Sequence, residues 1–406
     1  MPWEVTCVVE ERMKFIAAYL KHEWPMAVLC RGFGISRKTG YKFVARYQED
    51  GMTGLQDRSR APHDNPHAVT EDVAWRLLEA RRAHPTWGPR KLQAWLQQRP
   101  PRIHWPCPSV IGDLLRREGL TVPRRRRQRT PPYSEPFAHC DGPNAVWCAD
   151  FKGWFRTRDG KPCYPFTLSD AHSRFLLRCQ ALARTDYDAV QPLFEAAFRE
   201  YGLPLAIRTD NGPPFASVGL GGLSRLAIWW VRLGIAPERI AAGRPEQNGR
   251  HERLHRTLKQ DVTIPPQATR RAQQRAFDGF RQEYNCERPH EALELAVPAS
   301  YYCVSARPYP LRLPELTYPD EAEVRRVRHN GEIRWRRQLI YVSQALAGEL
   351  AGVIAVDDRY SRLCFGPLEL GILDSHGYRL IVPSAARKAK RAAGICTAKV
   401  LPMSSD

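Results

Sequence analysis

Trp147-Cys-Ala-Asp150-Phe-Lys-Gly153 is the stretch on which the reading of this chain turns. An acidic residue sits inside a short run of strand composition, with apolar residues at alternate positions to bury one face. Asp210, in Arg208-Thr-Asp-Asn-Gly212, ends a second such run. Glu252, in Pro245-Glu-Gln-Asn-Gly-Arg-His-Glu252-Arg253, lies in a polar stretch with helical spacing. Between Asp150 and Asp210 lie 59 residues, and between Asp210 and Glu252 lie 41. Three carboxylates brought together from two strands and a helix would hold hard divalent cations, which take oxygen ligands and keep positions open for water and phosphate. That is the chemistry of phosphoryl transfer on a nucleic-acid backbone. Spacing alone decides little in a chain with 43 acidic residues, most of which serve to solvate a surface. The residues around the three acids carry the weight.

Composition agrees with a phosphate-rich partner. The chain has 406 residues, with 62 Lys and Arg against 43 Asp and Glu, a formal charge of +19 and an isoelectric point near 9.7. A ribosomal or membrane-surface protein would share that charge, but neither explains a carboxylate triad. Apolar residues make up 43% of the chain and there are eleven tryptophans, enough to build cores in two or more domains. The eleven cysteines are scattered with no Cys-x-x-Cys pair, which predicts reduced thiols in a cytosolic protein and no zinc site. No apolar run is long enough to span a membrane and no leader-like N-terminus is present, so the expected location is cytoplasmic and DNA-associated.

Four words together resemble the Asp-Asp-Glu transposases of bacterial insertion sequences, whose catalytic core is similar to that of retroviral integrases. They are Trp147-Cys-Ala-Asp-Phe-Lys-Gly153, Asp170-Ala-His-Ser-Arg174, Arg208-Thr-Asp-Asn-Gly-Pro-Pro-Phe215, and Gly243-Arg-Pro-Glu-Gln-Asn-Gly-Arg-His-Glu252 running on through Arg253-Leu-His-Arg-Thr-Leu-Lys259. A fifth, Tyr284-Asn-Cys-Glu-Arg-Pro-His-Glu-Ala-Leu293, resembles the segment that closes such cores. The likeness is close over residues 136–300 and extends to the flanks in domain order. It implies that Asp150, Asp210 and Glu252 are the catalytic and metal-holding residues for two Mg²⁺ ions, with Mn²⁺ as a substitute. It also implies a basic DNA contact at Lys259, seven positions beyond the Glu. Seven residues is two helical turns, so Lys259 is expected to share a face with Glu252, and His255 to join them there. The interval before Glu252 is longer than in many relatives, and the extra length is assigned to Gly219-Leu-Gly-Gly-Leu-Ser224. The zinc-binding spacing that precedes retroviral cores is absent from this chain.

The implied activity is that of an Mg-dependent polynucleotidyl transferase. Such an enzyme would bind the terminal inverted repeats of a mobile element, cut at the ends and join them to target double-stranded DNA, acting as a homo-oligomer with no membrane partner. Two other readings stay open. One is a catalytically silent DNA-binding regulator derived from such a protein, and the other a nuclease that hydrolyses without strand transfer.

Working outward, residues 10–23 have apolar positions at helical spacing, residues 25–36 read as a second helix with Pro25 in its first turn, and Ser36 caps a third over residues 37–47. That order is a helix-turn-helix, which points Arg37, Lys38, Thr39 and Lys42 at DNA. Residues 53–62 read as a linker. A second helical unit follows, with helices over 71–82, from Pro89 to Leu96, and from Val110 to Glu118 behind a Ser109 cap, and it resembles the second helix-turn-helix of the same transposase family. Next comes Arg124-Arg-Arg-Arg-Gln-Arg129, read as a backbone clamp through Arg124, Arg125, Arg126, Arg127 and Arg129, since guanidinium groups grip phosphate through paired donors.

The core reads as strands at 144–155, 165–170 and 175–182, a helix at 190–201, a strand at 206–209, a helix at 223–233 and a short strand from Ile235, with Glu252 on a later helix. This is the ribonuclease-H-like α/β order, in which the first and fourth strands are neighbours. Asn211, Gly212, Asn248 and Gly249 suit sharp turns with positive φ. Beyond residue 308, runs at 323–328, 333–341 and 353–356 read as short strands, the first two alternating basic and apolar residues on either side of a His329-Asn-Gly-Glu332 turn, which predicts a small β-barrel with a basic face. The expected domains are 1–60, 61–135, 136–305, 306–383 and a basic disordered tail at 384–406.

Overall fold

The computed structural model describes residues 7–58, 69–100, 103–121, 140–216, 223–239 and 249–381. The arginine run from Arg124 to Arg129, most of the Gly219 loop, the residues from Gly243 to Asn248 and the C-terminal tail lie outside the described residues. The chain divides into two compact units, Met1–Thr70 and Glu71–Asp406.

The first unit holds α1 (Val8–Leu20), α2 (Met26–Gly32) and α3 (Arg37–Asp50). Their apolar stripes bury Phe15, Ile16, Leu29, Cys30 and Val44 together. The Ser36 hydroxyl accepts from Thr39 N–H at 3.2 Å and starts α3, whereas Pro25 is the N-cap of α2 and lies just before its first turn. Gly40 allows the close crossing of α2 and α3, because a Cβ there would lie 2.5 Å from Cys30 Sγ. The segment expected as a linker begins differently. Gly51–Leu55 forms a 3-10 turn whose Leu55 is fully buried in this core, so one apolar side chain outweighs the polar composition around it.

The second unit opens with α4 (Glu71–Ala83), α5 (Pro89–Gln97) and α6 (Pro108–Arg117), packed around Leu77, Trp87, Leu92, Trp105, Ile111 and Leu115. Cys107 is the N-cap of α6 and Pro108 fills its first position, so Ser109 lies inside the helix and does not cap it. The core follows as β1 (Val146–Phe151), β2 (Phe155–Arg156), β3 (Pro162–Asp170), β4 (Leu176–Leu182), α7 (Tyr187–Tyr201), β5 (Ala206–Thr209), α8 (Arg225–Arg232), β6 (Ala236–Arg239), α9 (Gly249–Leu258) and α10 (Arg270–Cys286). The second helical module docks on α10 through polar contacts. His84 Nδ1 lies 3.0 Å from Glu283 Oε1, Arg99 donates to Glu287 Oε2 at 3.0 Å, and burial beside Arg288 pushes Lys91 down to about 8.

In the central sheet β4 pairs with β3 and β3 with β1, both antiparallel, while β1 pairs with β5 and β5 with β6 in parallel. The strand expected over 144–155 is broken near its end. Lys152 N–H donates to Pro165 O and Phe155 pairs with Cys163, so Gly153 and Trp154 together oppose Tyr164 in a β-bulge, with Gly153 at φ +74°. The extra residue flips the alternation, so Phe151 packs with the α7 side of the sheet and Phe155 with the α10 side. Trp147, Ala149, Phe166, Leu168 and Ile207 bury against Phe194, Phe198, Trp229 and Trp230 of α7 and α8. The opposite face packs Cys163 and Cys179 on Leu254, Leu258, Phe277 and Phe280 of α9 and α10.

The C-terminal region contains β7 (Glu323–Arg326), β8 (Glu332–Trp335), β9 (Gln338–Tyr341), β10 (Leu350–Ala355), β11 (Tyr360–Phe365), β12 (Leu368–Asp374) and β13 (Arg379–Ile381). They form a five-stranded antiparallel sheet in the order β13-β12-β11-β10-β7 and a separate β8–β9 hairpin over a shared core. Among the described residues no ladder joins hairpin to sheet, so the expected barrel is seen as two open pieces. The run 333–341 is not one strand. Arg336 and Arg337, at φ 44° and 67°, make the two-residue turn of the hairpin, a conformation usually left to Asn and Gly. The Asn330-Gly331 turn does form, but the strands on either side of it pair elsewhere, β7 with β10 and β8 with β9. Ile333 and Trp335 are buried with Arg334 exposed between them, as the alternation predicts, whereas every residue of β7 is exposed.

Helix α8 is apolar on two sides. Leu226, Trp229 and Trp230 face the central sheet, and Ala227, Ile228 and Val231 pack into the C-terminal core. The described cysteines are all unpaired, and among the described residues no helix is long and apolar enough to cross a membrane.

Candidate metal centre and DNA-facing residues

The parallel pairing of β1 with β5 ends at Ala149 opposite Thr209. Ala149 is buried on the α7 side, so Asp150, the next residue of β1, faces the α9 side, and Asp210 directly follows the last paired residue of the neighbouring strand β5. Asp150 Oδ1 accepts from Phe151 N–H at 2.7 Å. Asp210 Oδ1 accepts from Gly212 N–H at 3.2 Å. The Asn211-Gly212 turn does not use positive φ. Gly212 is there for space, because a Cβ would sit 3.1 Å from Asp210 Oδ2.

Helix α9 lies against the same face. Its buried row is His251, Leu254, His255 and Leu258, while Glu252 is exposed, one turn before His255, with no hydrogen bond or ion pair among the described residues. The expectation that His255 shares a face with Glu252 and Lys259 is therefore corrected. The sheet takes both imidazoles and leaves the two charged residues on the exposed flank, because ions shed hydration at greater cost than neutral rings do. Lys259 follows the last α-helical residue and opens a π turn, Lys259–Thr263.

Thr167, opposite Asp150 on β3, ties these pieces together. Its Oγ1 is 2.6 Å from His251 Nε2, 2.8 Å from His255 Nε2 and 3.2 Å from the Asp150 carbonyl oxygen. His251 Nδ1 is 3.4 Å from Ser169 Oγ, and His255 Nδ1 is 3.9 Å from Asp150 Oδ2. Burial pushes His251 down to about 3, and burial with His251 and Lys152 nearby pushes His255 down to about 2, so both rings are neutral. Neither His251 nor Thr167 was among the residues singled out in the sequence. The i, i+4 spacing of the two histidines was the available signal. The carboxylate oxygens of Asp150 beside this helix suit a hard divalent cation, so the residues present fit the divalent metal that the resemblance implies.

In the first unit, Arg37, Lys38, Tyr41 and Lys42 are exposed along α3. Thr39 is half-buried and its hydroxyl is bonded to Ser36 Oγ at 2.9 Å, so it serves the cap. Arg124, Arg125, Arg126, Arg127 and Arg129 lie outside the described residues.

Residues 11–63 match a helix-turn-helix domain model and residues 39–115 a homeodomain-like domain model. Two integrase core domain models match residues 141–245 and 233–298. An uncharacterized 31.7 kDa protein of insertion element IS407 in Burkholderia multivorans is 29% identical over 253 residues, covering 62% of this chain and 87% of that protein. Transposase InsD of insertion element IS2D in Escherichia coli is 24% identical over 297 residues, covering 68% of this chain and 93% of that protein. Among solved structures, the HTLV-2 integrase catalytic core domain in complex with magnesium aligns with a TM-score of 0.33 and 16% identity, over 40% of this chain and 99% of that one. Helix-turn-helix matches ahead of an integrase-core match, with insertion-element relatives covered over most of their length, support a bacterial insertion-sequence transposase with an integrase-like core.

Proposed function

We propose that this protein binds the terminal inverted repeats of an insertion sequence, cuts at the element ends and joins them to target double-stranded DNA as a homo-oligomer. The observation that supports the reading is that Asp150 lies on β1 and Asp210 directly follows β5, its parallel neighbour, while α9, the helix that bears Glu252, packs beside Asp150. In this reading the three carboxylates hold two Mg²⁺ ions, or Mn²⁺ in their place, which when bound activate the attacking oxygen and stabilise the leaving one. Asp150 and Asp210 contribute fixed negative charge from a rigid sheet. Glu252 completes the set from α9, and Lys259 on the same exposed flank holds substrate phosphate by charge.

The remaining parts serve DNA contact and not the chemistry. Arg37, Lys38 and Lys42 on α3 read or grip the repeat, residues 61–135 add a second module and the arginine run a clamp, and residues 306–383 supply further grip or subunit contact. The test is incubation of the full chain with labelled element ends, Mg²⁺ and a target plasmid. Joined products are expected from wild type and none from Asp210→Asn, with end binding unchanged. Near-normal joining by Asp210→Asn would refute the assignment.

A further inference from the structure

The Thr167 cluster leaves one chemical question that its hydrogen bonds answer. A hydroxyl has one proton and two lone pairs. Thr167 Oγ1 meets the Asp150 carbonyl, which can only accept, and two imidazole nitrogens. All three contacts are hydrogen bonds at once in a single arrangement, where Thr167 donates to the carbonyl and both histidines donate from Nε2–H. Each neutral ring then carries a bare lone pair on Nδ1. For His251 that lone pair faces the Ser169 hydroxyl, which can donate to it. For His255 it faces Asp150 Oδ2 at 3.9 Å, too long for a hydrogen bond, so an acceptor looks at an anionic acceptor across a gap at the buried edge of the site.

Two such atoms repel unless something positive lies between them. A separation of 3.9 Å is that of two ligands on one ion, with bonds of about 2.1–2.2 Å and an obtuse angle between them. Asp150, His251 and His255 each offer a ligand atom, and these atoms lie within 4.8 Å of one another. Both nitrogens of His251 are committed to Thr167 and Ser169. His255 is the histidine left to bind.

We infer that His255 Nδ1 and Asp150 Oδ2 ligate the same divalent cation, so that one metal position of this enzyme has a nitrogen ligand beside its carboxylates. The inference rests on the carboxylate metal site proposed above. An imidazole donor tilts a mixed site away from Mg²⁺ and toward Mn²⁺, Co²⁺ or Zn²⁺. His251 and Thr167 act as positioning residues, since their bonds fix the tautomer and orientation of the ligating ring.

The probe is Mn²⁺ added to the full chain without DNA, read by pulsed electron paramagnetic resonance, which detects a nitrogen bound to the ion. Wild type should show ¹⁴N coupling that changes to the ¹⁵N pattern when histidine alone is ¹⁵N-labelled. His255→Gln should lose it, because the Gln amide can still donate to Thr167 from the Nε2 position but has nothing at Nδ1. His251→Gln should keep it. Competition titrations should show Mn²⁺ weakened on the order of tenfold in His255→Gln, with Mg²⁺ changed much less. Absence of ¹⁴N coupling in wild type, with Mn²⁺ binding that is lost in Asp150→Asn, would overturn the His255 ligand and leave the carboxylate site standing, with water as the bridging group. Mn²⁺ binding unchanged in Asp150→Asn would overturn both.

Discussion

Replacing Thr167 by Val keeps the shape of a fully buried side chain and removes only its hydroxyl. Two polar groups lose their partner together, His251 Nε2–H and His255 Nε2–H, while the Asp150 carbonyl keeps its place in the β1–β3 ladder opposite Thr167. A buried group left unsatisfied costs about 1–3 kcal/mol, and some of this is recovered if one ring turns or changes tautomer, so the expected loss is about 2–4 kcal/mol. Thr167→Ser keeps the hydroxyl and gives up one methyl, with an expected loss near 1 kcal/mol. The assay is native-state hydrogen exchange of the full chain read by mass spectrometry, which gives a local opening free energy without requiring the whole chain to unfold in one step. Segments covering β1 and β3 should exchange with opening free energies lowered by the amounts above, while those of α1 to α3 should be unchanged. If Thr167→Val lies within 1 kcal/mol of wild type at β1 and β3, the hydroxyl does not hold the two histidines to the sheet, and the tautomers assigned to them fail with it.

In Gly54→Ala the new Cβ would stand 2.2 Å from the Arg46 carbonyl oxygen, a backbone neighbour that cannot swing away. The first unit should lose about 1–3 kcal/mol, with exchange rising in α3 and element-end binding falling, and normal protection of α3 would contradict this. Asp374 accepts from Arg359 at 2.9 and 3.1 Å, and that pairing pulls its carboxyl from the ordinary 3.8 down to about 2. A lowered carboxylate pKa stabilises the fold above the ordinary value and is lost as pH falls from about 4 toward 2. With Arg359 nearly half exposed the contribution is on the order of 1 kcal/mol. Thermal melts of wild type and Asp374→Asn should therefore differ at pH 5 and converge near pH 2, and a gap independent of pH would rule this out. Lys259→Ala should slow joining at fixed Mg²⁺, Lys259→Arg should keep part of the rate and Lys259→Glu almost none, whereas equal rates for Ala and wild type would remove Lys259 from the site.

Local chemistry was readable wherever neighbours in sequence decide the outcome. The N-terminus of α3 follows from Ser36 and that of α5 from Pro89, and the strand ending at Thr209 follows from its apolar run bounded by a turn. The three acids stand out in the sequence because each sits in a distinctive local word, and the strands that carry or precede two of them, β1 and β5, are the neighbours that the order along the chain predicts. Other features depended on partners far away in sequence. Leu55 looked like part of a polar linker until the three helices it completes were in place, and the second apolar face of α8 has meaning only against the C-terminal core. The bulge at Gly153 is a mismatch of length between two strands, and Arg336 and Arg337 take a left-handed turn because Trp335 and Ile340 must both reach that core. Strands β11 to β13 follow the same logic, each gaining stability from a neighbour and little by itself.

The sequence by itself determined which residues can do chemistry, since residue type and helical or strand period are local properties. Which face of α9 meets the sheet was decided only by the tertiary structure. Burial against β3 made Thr167 the partner of two histidines, turned one lone pair toward Asp150 and left Glu252 on the open side. Hydrogen bonds inside a protein must be satisfied by whatever the fold brings within reach, and no period in the chain records that distance.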